Sequence, residues 1–185
     1  MKTRPWLGVL LAVAFFGCAS PEPAYYTLAA RPGRVLAGGP ASVEVRRVGL
    51  PAYLDRPELV RRGDDYRLEI AAAERWGEPL GDLISRILAE DLAARLKDVA
   101  VFSQGTLSLP AQTVLEVDVQ QFEADRDGGV TLMAQVALRP DRSGGRPRAL
   151  RLTAHSASRS ASDIAAAMSD LLGQAADEIA TMVRG

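Results

Sequence analysis

Cysteine and histidine are almost missing from this chain: Cys18 and His155 are single occurrences among 185 residues. One cysteine excludes an internal disulfide, and without further cysteines or histidines a clustered Cys/His metal centre cannot be assembled. No G-x-S-x-G, Walker-type or dinucleotide glycine motif occurs; Gly38-Gly39 and Gly144-Gly145 sit in polar connections instead. The formal net charge of −1 lacks the clustered basic excess of a nucleic-acid binder. Beyond residue 18, nothing is long and apolar enough to span a bilayer, which takes about 20 residues. Catalytic, redox and nucleic-acid roles therefore find little material here.

What is present begins at the front. Lys2 and Arg4 precede an uncharged run, Pro5 to Phe16, which ends at Gly17-Cys18-Ala19. A basic start, a short apolar stretch and a small residue before the break read as a secretory signal peptide over residues 1–17. Ending on Gly-Cys, the leader resembles a bacterial lipoprotein signal, in which the thiol of Cys18 is acylated and becomes the new N-terminus. Phe15 and Phe16 stand where that pattern has leucine and a small residue. Ala19, in place of aspartate, implies sorting to the outer membrane. Removing the leader takes away two cations and no acid, so the net charge moves from −1 to about −3. Residues 18–24 then form a lipidated, proline-containing tether. Residues 25–185 form a single periplasmic domain large enough for a proper core.

Periodicity predicts an α/β fold: a mixed sheet of about five to seven strands with two main amphipathic helices. Strand candidates are 25–30, 42–50, 58–62, 66–72, 99–103, 113–122, 130–139 and 148–158, with Arg46-Arg47 breaking the second. The first helix starts at Pro79 and carries the stripe Leu80, Leu83, Ile84, Ile87, Leu88, Leu92 and Leu96. The second starts at Ser160-x-x-Asp163, which resembles a capping box, and carries Ile164, Ala167, Met168, Leu171, Leu172, Ala175, Ile179 and Met182. Residues 66–103 read as strand–helix–strand, making the two strands parallel if they share a sheet.

Candidate chemistry is sparse. His155 falls on the polar side of an alternating strand, and Ser156, Ser158, Ser160 and Ser162 lead into a helix cap. Asp125-x-Asp127-Gly128 opens like a calcium loop, but Val130–Ala134 supplies no later acid, so a hairpin turn is expected. No catalytic or metal-binding residue is assigned, and no cofactor beyond the covalent lipid on Cys18. Two features stand out. Arg46, Arg47, Arg56, Arg61 and Arg62 fall within 17 residues around Tyr53-Leu54. They are either surface charge balanced by Glu58, Asp64 and Asp65, or an interaction edge. Trp76, read in the loop Glu74–Pro79, either caps the core or anchors a partner.

Taken together, Tyr25–Leu28 (YYTL), Val45–Arg62 (VRRVGLPAYLDRPELVRR) and Trp76–Leu80 (WGEPL) resemble the PqiC-like family of ABC-type transport auxiliary lipoproteins. The likeness covers essentially the whole chain. It implies a mixed sheet similar to the N-terminal domain of TolB and a non-enzymatic domain tethered to the periplasmic face of the outer membrane. It further implies a homo-oligomer, in some relatives a ring, docking on an MCE-domain protein and inner-membrane transport components that move phospholipid. Under it, Tyr53, Leu54, Asp55, Arg56, Pro57, Arg61 and Trp76 are candidate partner or oligomer contacts. The rival reading is a structural or assembly lipoprotein of the outer membrane.

Overall fold

The computed structural model describes residues 22–105, 110–140 and 144–185. The leader, Cys18, the start of the tether and Ser143 of one expected turn lie outside them. The elements run β1 (Ala24–Tyr26), β2 (Leu36–Ala37), β3 (Ser42–Val45), β4 (Glu58–Arg62), β5 (Leu68–Trp76), α1 (Leu80–Arg95), β6 (Leu96–Lys97), β7 (Ala100–Ser103), β8 (Thr113–Ala124), β9 (Gly129–Pro140), β10 (Arg148–His155) and α2 (Ala161–Arg184). The mixed α/β class and the two helices are as expected.

Strand β8 is the spine. Along one side it pairs antiparallel with β9, which pairs with β10. Its other side is shared: β3 takes the start, Gly49 bridges Asp118 in the middle, and β4 meets it at Ala124. β7 lies outside β3, and β5 then β1 lie outside β4. The main sheet thus has eight strands, above the expected range, and a two-stranded β2–β6 pair stands apart.

One expectation fails. Strands β5 and β7 share the sheet but run oppositely, because β5 is turned antiparallel against β4 while β7 follows β3 and β8. Strand, helix and strand are consecutive, but the tight 63–67 turn commits β5 to β4 before the helix begins. Trp76 is also corrected: it is the last residue of β5, not a loop residue, and its N–H donates to the Pro57 carbonyl at 2.8 Å.

The helices touch each other and cover one face, α1 over β3 and β7, α2 over β8, β9 and β10. Every residue of the α1 stripe is buried, as is the α2 stripe up to Ile179. Ser160 caps α2 by accepting the Asp163 N–H at 3.2 Å. Val130, Leu132, Ala134 and Val136 point inward from β9, opposite Ala124, Phe122, Val119 and Val117 of β8 in that order. A bulge between Val119 and Gln121 re-phases β8, so Phe122 and Ala124 turn inward and Glu123 turns to the other face. At the β8–β9 turn, Asp125 Oδ1 accepts the N–H groups of Asp127 and Gly129 at 2.9 and 2.7 Å, and Gly128 has φ 85°. This is the side-chain-closed hairpin turn expected of that segment.

Candidate functional site

Between β3 and β4 the chain leaves the sheet as a shaped loop, residues 46–57. Its stem stays on the β8 edge: Arg46 N–H donates to Leu115 O and Gly49 N–H to Val117 O, each at 3.0 Å. Helix α1 pins the same stem. Ser85 Oγ accepts the Val48 N–H at 2.9 Å and donates to Gly81 O at 2.6 Å, and a Cβ on Gly81 would lie 2.9 Å from Val48 O. Only glycine permits that approach. Past the stem, Pro51 O accepts the Leu54 N–H at 2.9 Å, and Leu54 drops into the core.

Glu123 holds the loop from below. Its side chain is 0% exposed, because Tyr53 and Arg62 close over it. Arg62 donates Nη2 and Nε to Oε1 at 2.6 and 3.1 Å; Oε2 accepts the Tyr53 hydroxyl at 2.9 Å and the Phe122 N–H at 3.0 Å. Burial first, and then the bond to this carboxylate, pushes the Tyr53 phenol far above its ordinary pKa. Tyr53 is therefore a neutral donor at every physiological pH. Tyr53→Phe leaves a charged acceptor one donor short, and we expect it to lower stability by about 1.5–3 kcal/mol. Urea unfolding of both proteins checks this; an unchanged midpoint would mean the hydroxyl is idle.

The five arginines separate into pairs. Arg46 meets Glu116 at 2.6 Å, Arg47 meets Asp82 at 2.8 Å and Asp55 at 3.7 Å, and Arg56 meets Glu58 at 3.0 Å. Arg61, itself buried, reaches Glu74 at 2.7 Å and the Arg159 carbonyl at 3.3 Å. Of the acids expected to balance them, only Glu58 does so here, its carboxyl held below the usual range first by the hydrogen bond from Arg56. Asp64 turns instead to Arg126. The others (Glu74, Asp82, Glu116, Glu123) come from distant segments, which sequence spacing does not reveal. Glu123 left one trace: the doublet Gln120-Gln121 interrupts the alternation where the bulge forms.

These ties leave a notch of about 440 Å³ between the loop and the β5–α1 turn, lined by Arg47, Asp55, Arg56, Pro57, Trp76, Glu78 and Pro79. Of the predicted contact residues, it gathers Asp55, Arg56, Pro57 and Trp76. Tyr53, Leu54 and Arg61 are not in its lining; they hold the loop and the adjacent hairpin. Trp76 is buried, while Asp55 and Pro57 are exposed. The lining has two prolines, an indole and paired charges. It offers shape and polarity rather than a nucleophile with a base. His155 is exposed at the far side of β9, away from this notch. Among the described residues no group of His, Asp and Glu is arranged to hold a metal, and no helix is long and apolar enough to cross a membrane.

Comparison with solved structures places this architecture among known folds. A crystal structure of an uncharacterized protein superposes with a TM-score of 0.75 at 23% identity, covering 88% of this chain and 99% of that one. Protein XCC0632 from Xanthomonas campestris, of the family DUF330, superposes at 0.70 with 18% identity, covering 87% and 94%. The hypothetical protein CT253 from Chlamydia trachomatis follows at 0.54 with 12% identity, covering 79% and 96%. At these identities the likeness is one of fold. Comparison with curated proteins returned no match. The model of the ABC-type transport auxiliary lipoprotein component matches residues 26–180, from β1 to the last turns of α2, and so takes in the loop, the notch and both helices. The chain belongs to the family of ABC-type transport auxiliary lipoprotein components.

Proposed function

We propose that this protein is a non-enzymatic accessory subunit of an MCE/ABC-type lipid transport system. It is held on the periplasmic face of the outer membrane by an acylated Cys18 and docks on its MCE-domain partner through the notch beside Trp76. Family membership supports the transport role. The observation that carries the docking site is the loop itself: the strongest local ties in this region, Glu123 with Tyr53 and Arg62, are spent holding residues 51–57 in one shape. Asp55 and Pro57 are left exposed on its rim, with Arg56 half-buried between them. A preorganised concave surface with an indole wall and mixed charges suits a protein partner, since ordering costs are met before binding. Assembly as a homo-oligomer belongs to the same reading. Energy for transport comes from the inner-membrane partners.

Arg56→Glu tests it. The guanidinium is partly exposed and its partner Glu58 is the first residue of β4 and also meets Arg75 at 3.8 Å, so folding survives the change; reversing a charge at the notch does not leave docking intact. We expect recovery of the MCE protein from detergent extracts to fall at least about ten-fold, with a melting temperature within a few degrees of the parent. Undiminished recovery would remove the notch from the contact. Recovery of β-barrel assembly components with no MCE protein would instead favour an assembly lipoprotein.

A further inference from the structure

The β4–β5 hairpin carries a surface that neither the core nor the notch uses. Tyr66 is wholly exposed at the turn, and Leu68 and Ile70 are 42% and 43% exposed along β5. The two aliphatics, with exposed Ala72, alternate on one side of the strand. Tyr66 is also held at φ 61°, a left-handed conformation that aromatic residues seldom adopt. The turn thus spends backbone strain to present a phenol ring to the outside.

Four ion pairs surround this tip: Asp64 with Arg126, Glu69 with Arg126 at 3.9 Å and with Arg159 at 3.1 Å, and Arg62 with Glu123 at 2.6 Å. Arg67 and Asp65, both exposed, carry opposite charges. The tip is apolar and close to neutral overall, a poor lure for a strongly charged partner.

Topology says what it faces. β1 runs parallel to β5, with Ala24 opposite Glu74 and Tyr26 opposite Trp76. The start of β1 therefore points back along β5 toward Ile70, Leu68 and Tyr66. Ala24 lies six positions after Cys18, and Glu74 six positions after Leu68. Each stretch spans at most about 20 Å when extended, so the acylated end and the hairpin tip can meet one plane. We infer that Tyr66, Leu68 and Ile70 form a second membrane contact, seated in the headgroup and upper acyl region of the phospholipid leaflet that holds the lipid anchor. This rests on the acylation of Cys18. The hairpin adds orientation to that tether: a domain held at two points presents its notch in a fixed direction, whereas attachment at a single point sets no direction. Tyrosine suits the headgroup depth, with its ring in the apolar boundary and its hydroxyl in water.

The test uses the full-length protein, purified from membranes and placed in phosphatidylethanolamine–phosphatidylglycerol vesicles. A nitroxide is attached at Leu68→Cys, or at Arg146→Cys in the β9–β10 connection at the opposite end of the strands. The acylated Cys18 does not compete for the label. At position 68 we expect collisions with oxygen to exceed those with a water-soluble nickel chelate by about three-fold relative to position 146. That ratio should hold from about 0.05 to about 0.5 M salt, because the contact is apolar rather than ionic. Floating protein whose two positions are equally open to the nickel chelate would overturn the inference while leaving the anchor standing. So would shielding of position 68 from both reagents that grows with protein concentration, the mark of a second copy on the patch. Protein that fails to float with the vesicles would remove the anchor, and this inference with it.

Discussion

Replacing Arg95 by alanine is expected to lower the stability of this protein by about 3–5 kcal/mol, a loss larger than that of any other substitution proposed for the fold. Arg95 lies in the last turn of α1 with its side chain 1% exposed. Its Nε donates to Asp177 Oδ1 at 2.7 Å, Nη1 to Arg31 O at 2.8 Å and to Asp91 Oδ1 at 3.3 Å, and Nη2 to Gly173 O at 2.9 Å. One guanidinium therefore ties α1, α2 and the segment after β1 together. The fit is close: a Cβ on Gly33 would overlap the Arg95 guanidinium. Asp91 is wholly buried, and its Oδ1 also accepts the Arg31 N–H at 2.6 Å. Truncating the arginine strands that carboxylate without its cation, and takes a donor from the carbonyls of Arg31, Pro32, Asp91 and Gly173.

The same change makes stability depend on pH in a defined direction. Burial, outweighing the Arg31 N–H and the Arg95 charge, already raises the Asp91 pKa. A carboxyl whose folded pKa is raised contributes stability that is complete below its unfolded pKa and is lost as pH rises through the folded one. Without Arg95 the folded value climbs further. The deficit of Arg95→Ala should therefore be largest at neutral pH and shrink on acidification. Adding Asp91→Ala should recover part of it, because the two residues form one network. Urea unfolding at several pH values checks both. A deficit that is constant with pH, or additive with Asp91→Ala, would mean that packing rather than charge is lost.

The second large effect concerns location. Cys18→Ala is expected to move the protein from the membrane pellet to the soluble periplasmic fraction with its folded domain intact. Each acyl CH₂ placed in a bilayer contributes about 0.8 kcal/mol, and stable anchoring takes more than one chain. The several chains of a bacterial lipoprotein satisfy that condition, and in the function proposed above Cys18 is the residue that carries them. Loss of the thiol removes all of this energy at once. The fold tolerates it because β1 begins six residues later, at Ala24. The hairpin tip alone, with three exposed apolar side chains, is too small to hold the protein on the membrane. Fractionation and circular dichroism read the outcome. Mass spectrometry of the native protein should find acyl mass on residue 18 and no leader. Unchanged membrane association of the variant, or a free thiol in the parent, would refute the anchor.

Both helices are legible in the chain, since a 3.6-residue stripe states which side of a helix is buried whatever it packs against. Ser160 and the Asp125 turn are equally local, because each bonds within five residues of itself. The β8–β9 hairpin follows from strict alternation on both sides of a short turn. Matters that depend on a distant partner are not legible in the same way. The direction of β5 relative to β7 depends on which neighbour β5 chooses, and alternation names a face without naming a neighbour. Arg62 and Arg61 give no sign of Glu123 and Glu74, because a charge pair across a sheet has no fixed spacing along the chain. Asp91 and Arg95 sit four apart, as any exposed helical ion pair would; only the closure of Gly33 and Gly173 around them makes that pair internal.

Short-range pattern and motif are thus enough for the mixed α/β class, the two amphipathic helices, the hairpin turns and the family. Only the folded arrangement shows that the arginine-rich segment is neutralised pair by pair. Folding also sets Trp76 as the wall of a notch, turns Glu123 beneath Tyr53 through a one-residue bulge, and aligns the start of β1 with the apolar hairpin tip. One physical cause underlies these. Burial periodicity is a local constraint, whereas charge pairing and register are chosen among many nearly equal partners, and the choice is made only when distant segments meet.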